Sequence, residues 1–82
     1  MKISYDVSVD AAYIKLKSEE DIAPFGSTYC CDPNAVDGQI NLDFDAEGRL
    51  IGIEILSASK KLPSYLLNGT WLVPYQYENA PE

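Results

Sequence analysis

The sequence has no histidine. It therefore lacks the side chain that most often serves as a general base near neutral pH and the common nitrogen ligand of structural zinc. Without histidine, no set of nucleophile, base and orienting group can be assembled from the chain, and no glycine-rich phosphate loop is present. The sequence thus predicts a protein that is not an enzyme and carries no cofactor.

Cysteine is also scarce, because the only two cysteines are the neighbours Cys30 and Cys31. Adjacent side chains point to opposite sides of an extended backbone, so these two residues cannot form an unstrained disulfide with each other. Two neighbouring thiols without histidine do not make a zinc site either. We expect two reduced thiols and no metal centre.

No apolar run approaches the roughly 18 residues that a membrane span needs. The opening residues, MKISYDVSVD, reach an acid before any apolar segment of a signal peptide could form. The sequence therefore predicts neither a membrane protein nor a secreted one, and a cytoplasmic location is expected.

The chain also has few positive charges, since it contains six basic and 13 acidic residues and has a net charge of −7. A chain this acidic repels phosphate backbones, which argues against direct binding of nucleic acid. It would attract a basic protein partner. The alternative is that the charge only keeps a small protein soluble.

What is present is a chain of 82 residues with 46% hydrophobic residues, enough for one small folded domain. Alternation of apolar and polar residues with period two occurs in four segments, which read KISYD, AAYIKLK, QINLDFD and LIGIEIL. We expect a single domain over residues 1–82, with an antiparallel sheet in 1–56 and a short helix and C-terminal arm in 57–82.

The predicted fold class is α+β, mainly β, with three to four antiparallel strands arranged as a meander of hairpins. One short C-terminal helix is expected within Ser57–Leu67, followed by an aromatic tail. Residues 22–31 carry Pro24 and Gly26, which favours an edge strand with a bulge over a central strand.

The stretch DFDAEGRLIGIE, from Asp43 to Glu54, fits the spacing of an EF-hand calcium loop. An EF-hand loop lies between helices, whereas alternating strands flank this one, so a β-hairpin is predicted instead. A three-residue loop would place Phe44 beside Leu50 but Ile40 beside Glu54. Pairing Ile40 with Ile55 needs a loop of even length or a bulge, and we predict this apolar match.

Two blocks of sequence resemble the small bacterial family known as domain of unknown function 2283, over about residues 1–17 and 40–63. The first block is carried by Met1, Lys2, Tyr5, Asp6, Asp10, Ala11, Tyr13 and Ile14. The second is carried by Asp43, Asp45, Gly48, Gly52, Ile53, Glu54, Ile55, Leu56, Ala58 and Ser59. The resemblance implies a small β-rich domain without established catalytic residues. It also implies an antitoxin role, because such genes often neighbour genes for RelE-like RNases.

Three functions follow as hypotheses. The first is a protein-binding domain that acts as the antitoxin partner of a small basic RelE-like toxin, with charge complementarity and aromatic anchors. The alternative is a self-associating homodimer of structural role, and a weaker one is a metal or small-molecule sensor. The same anchors could also complete the protein's own core.

Two sets of residues are predicted to form the interaction surface. The expected anchors are Tyr65, Leu66, Leu67, Trp71, Val73, Tyr75 and Tyr77. The expected acidic docking face consists of Asn41, Asp43 and Glu54, with Lys15 or Lys17 as partners for Glu54.

Overall fold

Five antiparallel strands form one sheet in the computed structural model, which describes residues 1–68. The strands are β1 Lys2–Asp6, β2 Ala11–Lys15, β3 Phe25–Cys30, β4 Ile40–Asp45 and β5 Leu50–Leu56. Their order across the sheet is β1-β2-β5-β4-β3, so β1 and β3 are the two edges.

The prediction of a mainly β, antiparallel fold is confirmed, but the strand count and the meander order were wrong. β5 lies between β2 and β4, where each pairing aligns apolar residues: Ile53 lies opposite both Ile14 and Leu42. The chain between β2 and β3 must therefore cross the sheet before it forms the far edge. β3 is the expected edge strand, and its pairing with β4 shifts register between Phe25 and Ser27.

Three one-turn helices connect or follow the strands: α1 Pro33–Val36, α2 Ala58–Lys61 and α3 Ser64–Leu67. The single helix expected within Ser57–Leu67 is replaced by two, because Leu62 is extended, with φ −115° and ψ 146°, as the residue before a proline prefers. No helix within residues 1–68 is long and apolar enough to cross a membrane. The predicted aromatic tail lies outside the described residues.

The β4–β5 hairpin combines a three-residue turn with apolar pairs between its two strands. Ala46–Gly48 form a three-residue loop in which Gly48 adopts φ +85°, and Phe44 lies opposite Leu50. A bulge at Ile51 then shifts the register, so that Ile40 lies opposite Ile55. The predicted apolar match is confirmed for Ile40 with Ile55 and for Leu42 with Ile53, whereas Phe44 lies opposite Leu50 and not opposite Ile51, which the bulge leaves unpaired.

The hydrophobic core is small and lies on one face of the sheet, under α2 and α3. Its main cluster contains the buried residues Ala12, Ile55 and Ala58, surrounded by half-buried Tyr5, Ile14, Ile40, Ile53, Leu62 and Leu67. Ile3, Ala23 and Ile51 are also buried. No large side chain in residues 1–68 is fully buried. Because a small core removes little apolar surface from water, hydrogen bonds between polar side chains add to the specificity of the fold.

Candidate interaction surface

Asp10, in the first sequence block, accepts hydrogen bonds from Ser59 in the second block. Its carboxylate accepts hydrogen bonds from the Tyr5 hydroxyl at 2.7 Å, the Ser59 amide at 2.9 Å and the Ser59 hydroxyl at 2.7 Å. Its backbone carbonyl accepts from the Ala58 amide. The hydrogen bond from Tyr5, followed by those from Ser59, lowers the pKa of Asp10 and raises that of Tyr5. These motif residues therefore fasten α2 to the β1–β2 hairpin.

The lowered pKa of Asp10 predicts a pH-dependent contribution to stability. A group with a depressed folded-state pKa stabilises the fold above its ordinary value of 3.8 and loses that contribution as pH falls through the folded pKa. We expect Asp10→Asn to lower Tm at pH 7, with the difference from wild type shrinking as pH falls below 3.8. Thermal melts across this range test the effect, with Glu20→Gln, at an exposed carboxylate, as the control. A constant difference would contradict it.

Asp45 organises the turn of the β4–β5 hairpin from a buried position. Its side chain accepts hydrogen bonds at 2.9 Å from the backbone amides of Glu47 and Arg49 and from Arg49 Nε. The backbone bond from Arg49 is the main cause that lowers the pKa of Asp45, against the opposing effect of burial. Arg49 also pairs with Asp21 at 3.0 Å. The central acid of the calcium-like pattern is thus engaged by the protein's own donors.

Tyr13 spans β5 on the polar face of the sheet, where Gly52 leaves room for its ring. The Tyr13 hydroxyl donates to Asp43 Oδ2 at 2.9 Å, and Thr28 Oγ1 donates to Asp43 Oδ1 at 2.7 Å. This chain of contacts links β2, β4 and β3 across the sheet. Gly52 is required because any Cβ at this position would overlap the Tyr13 ring and hydroxyl.

Burial first, and then the hydrogen bond to Asp43, raise the pKa of Tyr13 from 10.0 to about 12. The raised pKa means that this phenol stabilises the fold fully below pH 10.0 and that the contribution is lost as pH rises toward about 12. We expect NMR titration of ring-labelled tyrosine to show this late ionisation, and Asp43→Asn to bring it to lower pH. Ionisation near pH 10 in the folded wild type would contradict the contact.

Asn41 and Glu54 face each other across β4 and β5, and Asn41 Nδ2 donates to Glu54 Oε1 at 2.9 Å. Asn41 is only 9% exposed, and its Oδ1 is buried without a hydrogen-bond partner. The lysines expected beside Glu54 lie elsewhere: Lys15 pairs with Glu19, and Lys17 donates to the Ala23 carbonyl. The three residues of the predicted docking face do share one face of the sheet, but its docking role stays a prediction.

A cleft of 820 Å³ opens beside Glu54, where β3 and β5 end and β2 and β4 begin. Its apolar lining includes Val9, Pro33 and Leu56, and both thiols, Cys30 and Cys31, also line it. Glu54 is the only charged residue in its wall. Sequence reasoning missed this cleft, because it is built from residues far apart in the chain.

The edge strand β3 is exposed along its whole length. Phe25 and Tyr29 are 58% and 60% exposed, and the strand FGSTYC contains no charged residue. Its other side pairs with β4, which leaves one row of backbone groups without a strand partner among residues 1–68. Exposed edges of this kind are templates for adding another strand.

Lysine and arginine are missing from one long segment of the chain. Residues 18–48, which include β3, α1 and β4, contain no lysine or arginine, and we call this segment the acidic half. Its acidic residues are Glu19, Glu20, Asp21, Asp32, Asp37, Asp43, Asp45 and Glu47. Bases outside this segment contact it: Arg49 pairs with Asp45 and Asp21, Lys15 pairs with Glu19, Lys17 donates to the Ala23 carbonyl, and Lys61 donates to the Val36 carbonyl.

The predicted aromatic anchors fall into three groups. Tyr65 is 57% exposed on α3, Leu66 is half-buried, and Leu67 packs against the core. Leu67 thus has a structural role, and Tyr65 remains available at the surface. Trp71, Val73, Tyr75 and Tyr77 lie outside the described residues, and their role stays a prediction.

The match to a protein family includes Asp10, Asp43 and Asp45, whose hydrogen bonds are described above. Neither a curated protein nor a solved structure matches this chain. A family profile described as "Protein of unknown function (DUF2283)" matches residues 2–59, which include all five strands. The chain therefore belongs to this family.

Proposed function

We propose that this protein is a protein-binding domain whose partner is a small basic protein, in the manner of an antitoxin that neutralises a RelE-like RNase. The observation that carries the proposal is the exposed, uncharged edge strand β3 set within the acidic half. No other part of residues 1–68 combines an open backbone edge with such a one-sided charge.

The strand and the charges around it make different contributions to binding. The backbone edge of β3 can accept an added strand, and Phe25 and Tyr29 supply apolar contact area. The acids of the surrounding half attract a basic surface and discriminate against acidic ones. An RNase cleft that binds RNA must be basic, so an acidic domain could occlude it by the same complementarity that RNA uses.

Self-association through β3 is the second candidate, because an uncharged open edge also suits a second copy of the same strand. Such a pairing would bring two acidic halves together, and like charges at an interface oppose binding. The charge distribution therefore favours the basic partner. For a metal sensor, residues 1–68 offer no group of three or more Cys, Asp or Glu side chains placed to hold an ion.

The test is co-expression with each small basic protein that a neighbouring gene encodes, with growth rescue and co-elution on size exclusion as readouts. We expect Tyr29→Lys to abolish rescue, because it places a charge of the wrong sign on the exposed edge. Tyr65→Lys is the matched control, since Tyr65 is similarly exposed but lies on α3. Loss of rescue with Tyr65→Lys alone would move the interface to the C-terminal anchors, and no rescue by wild type would remove the proposal.

A further inference from the structure

We infer that the cleft beside Glu54 binds an arginine side chain of the partner protein. This inference rests on the proposed function, since it names the residue of the basic partner that the acidic domain recognises. It also gives a role to Glu54, a charge placed in the middle of the otherwise apolar strand β5.

A hydrogen bond from Asn41 holds the carboxylate of Glu54 in place for binding a cation. Asn41, itself 9% exposed, donates to Glu54 Oε1 and fixes the orientation of the group, while Oε2 accepts no hydrogen bond from residues 1–68. Glu54 is half-buried, which costs part of its hydration. A cation that reaches Oε2 would restore favourable interactions to a carboxylate that Asn41 has already positioned.

The walls of the cleft select the type of cation. Val9, Pro33 and Leu56 present apolar surface on which the aliphatic stem of a long side chain can lie. No basic residue lines the cleft, so nothing inside competes for Glu54. Among protein cations, the guanidinium is less strongly hydrated than the ammonium and matches carboxylate geometry, which favours arginine over lysine in a half-buried site.

The location supports a residue of a partner over a free metabolite. Cys30, the last residue of β3, and its neighbour Cys31 line the cleft, so the cleft lies at one end of the edge strand. The volume of 820 Å³ exceeds that of one side chain and leaves room for neighbouring main chain. The cleft and the edge strand thus form one continuous surface.

The experiment uses the full chain and N-acetyl-arginine-N-methylamide as the probe, followed by two-dimensional NMR. We expect saturable shifts centred on the amides of Gln39, Glu54 and Leu56, with affinity lowered about fivefold or more by Glu54→Gln. Glutamine keeps an oxygen that can accept from Asn41, so the fold is preserved. Glu47→Gln, which removes an equal charge from the exposed turn, should leave the affinity unchanged.

Two further arms make the outcome decisive. The matching citrulline derivative, which is neutral and of the same shape, should not saturate the cleft, and free L-arginine should bind more weakly than the blocked derivative. The probe should also slow alkylation of the exposed thiol of Cys30. Equal binding of the citrulline derivative, tighter binding of free arginine, or shifts spread over all the acids would each overturn the inference.

The outcomes also separate this inference from the proposed function. If the basic partner binds and Glu54→Gln changes nothing in either assay, the cleft assignment fails while the protein-binding role stands. If the probe fills the cleft but no basic partner is neutralised, the arginine site stands and the antitoxin role fails.

Discussion

Replacing Asp45 with alanine is expected to lower Tm by roughly 10–20 °C, a severe loss for a domain of this size. The substitution strips the amides of Glu47 and Arg49 of their acceptor and releases the Arg49 side chain from the hairpin. The loop beside it also anchors the start of β3, since the Ala46 amide donates to the Pro24 carbonyl. Loosening the turn should therefore loosen two pairs of strands at once.

Thermal melts of Asp45→Ala and Glu47→Ala give the matched comparison. Glu47 occupies the same turn, but its side chain is 68% exposed, so its loss should shift Tm by only about 2 °C. Similar melting temperatures for the two variants would show that the buried carboxylate does not organise the hairpin.

Gly52→Ala is expected to destabilise the fold by about 2–4 kcal/mol, through overpacking against Tyr13 and loss of the Tyr13–Asp43 hydrogen bond. The added Cβ would overlap the ring of Tyr13, which must then leave the surface of β5. Chemical denaturation measures the cost. Gly48→Ala is the control, because Gly48 has positive φ but open space around it, so its cost should be about 1 kcal/mol from backbone strain alone.

A double-mutant cycle identifies the cause. In a Tyr13→Ala background the methyl group at position 52 has no ring to displace, so Gly52→Ala should become nearly neutral. The expected coupling is about 2 kcal/mol. An unchanged cost of Gly52→Ala in both backgrounds would contradict the packing of Tyr13 over Gly52.

The sequence predicted those parts of the fold that depend on local patterns. Alternation in QINLDFD and LIGIEIL indicated a hairpin, and the isoleucines favoured the register that the bulge at Ile51 allows. Pro24 and Gly26 marked an edge strand for the same local reason. These patterns work because each residue's face in a strand follows from its neighbours.

The parts that were missed depend on contacts between distant residues. Asp10 and Ser59 are 49 positions apart, and no spacing rule connects them. The position of β3 beside β4 requires the chain to cross two strands through residues 16–24, which show no period. The cleft combines the ends of four strands with Pro33 of α1, so it exists only after the sheet has assembled.

The residues of the two sequence blocks and the proposed interaction surface lie mostly in different parts of the chain. Tyr5, Asp10, Asp45, Gly52 and Ser59 hold strands and helices together through the contacts described above. The acidic half and the exposed strand β3 lie largely between the two blocks. Glu54 is the exception, because it belongs to the second sequence block and also lines the cleft.

The most direct test of the proposed binding surface is a titration, with this protein, of the RNase activity of a small basic RelE-like toxin encoded by a neighbouring gene. We expect stoichiometric loss of activity with wild type and with Asp6→Asn, and inhibition weakened about tenfold by Asp32→Asn with Asp37→Asn. Asparagine preserves both the cap that Asp32 provides and the left-handed conformation of Asp37, so only charge is removed. Full RNase activity in excess wild-type protein, or equal inhibition by all three proteins, would contradict the account.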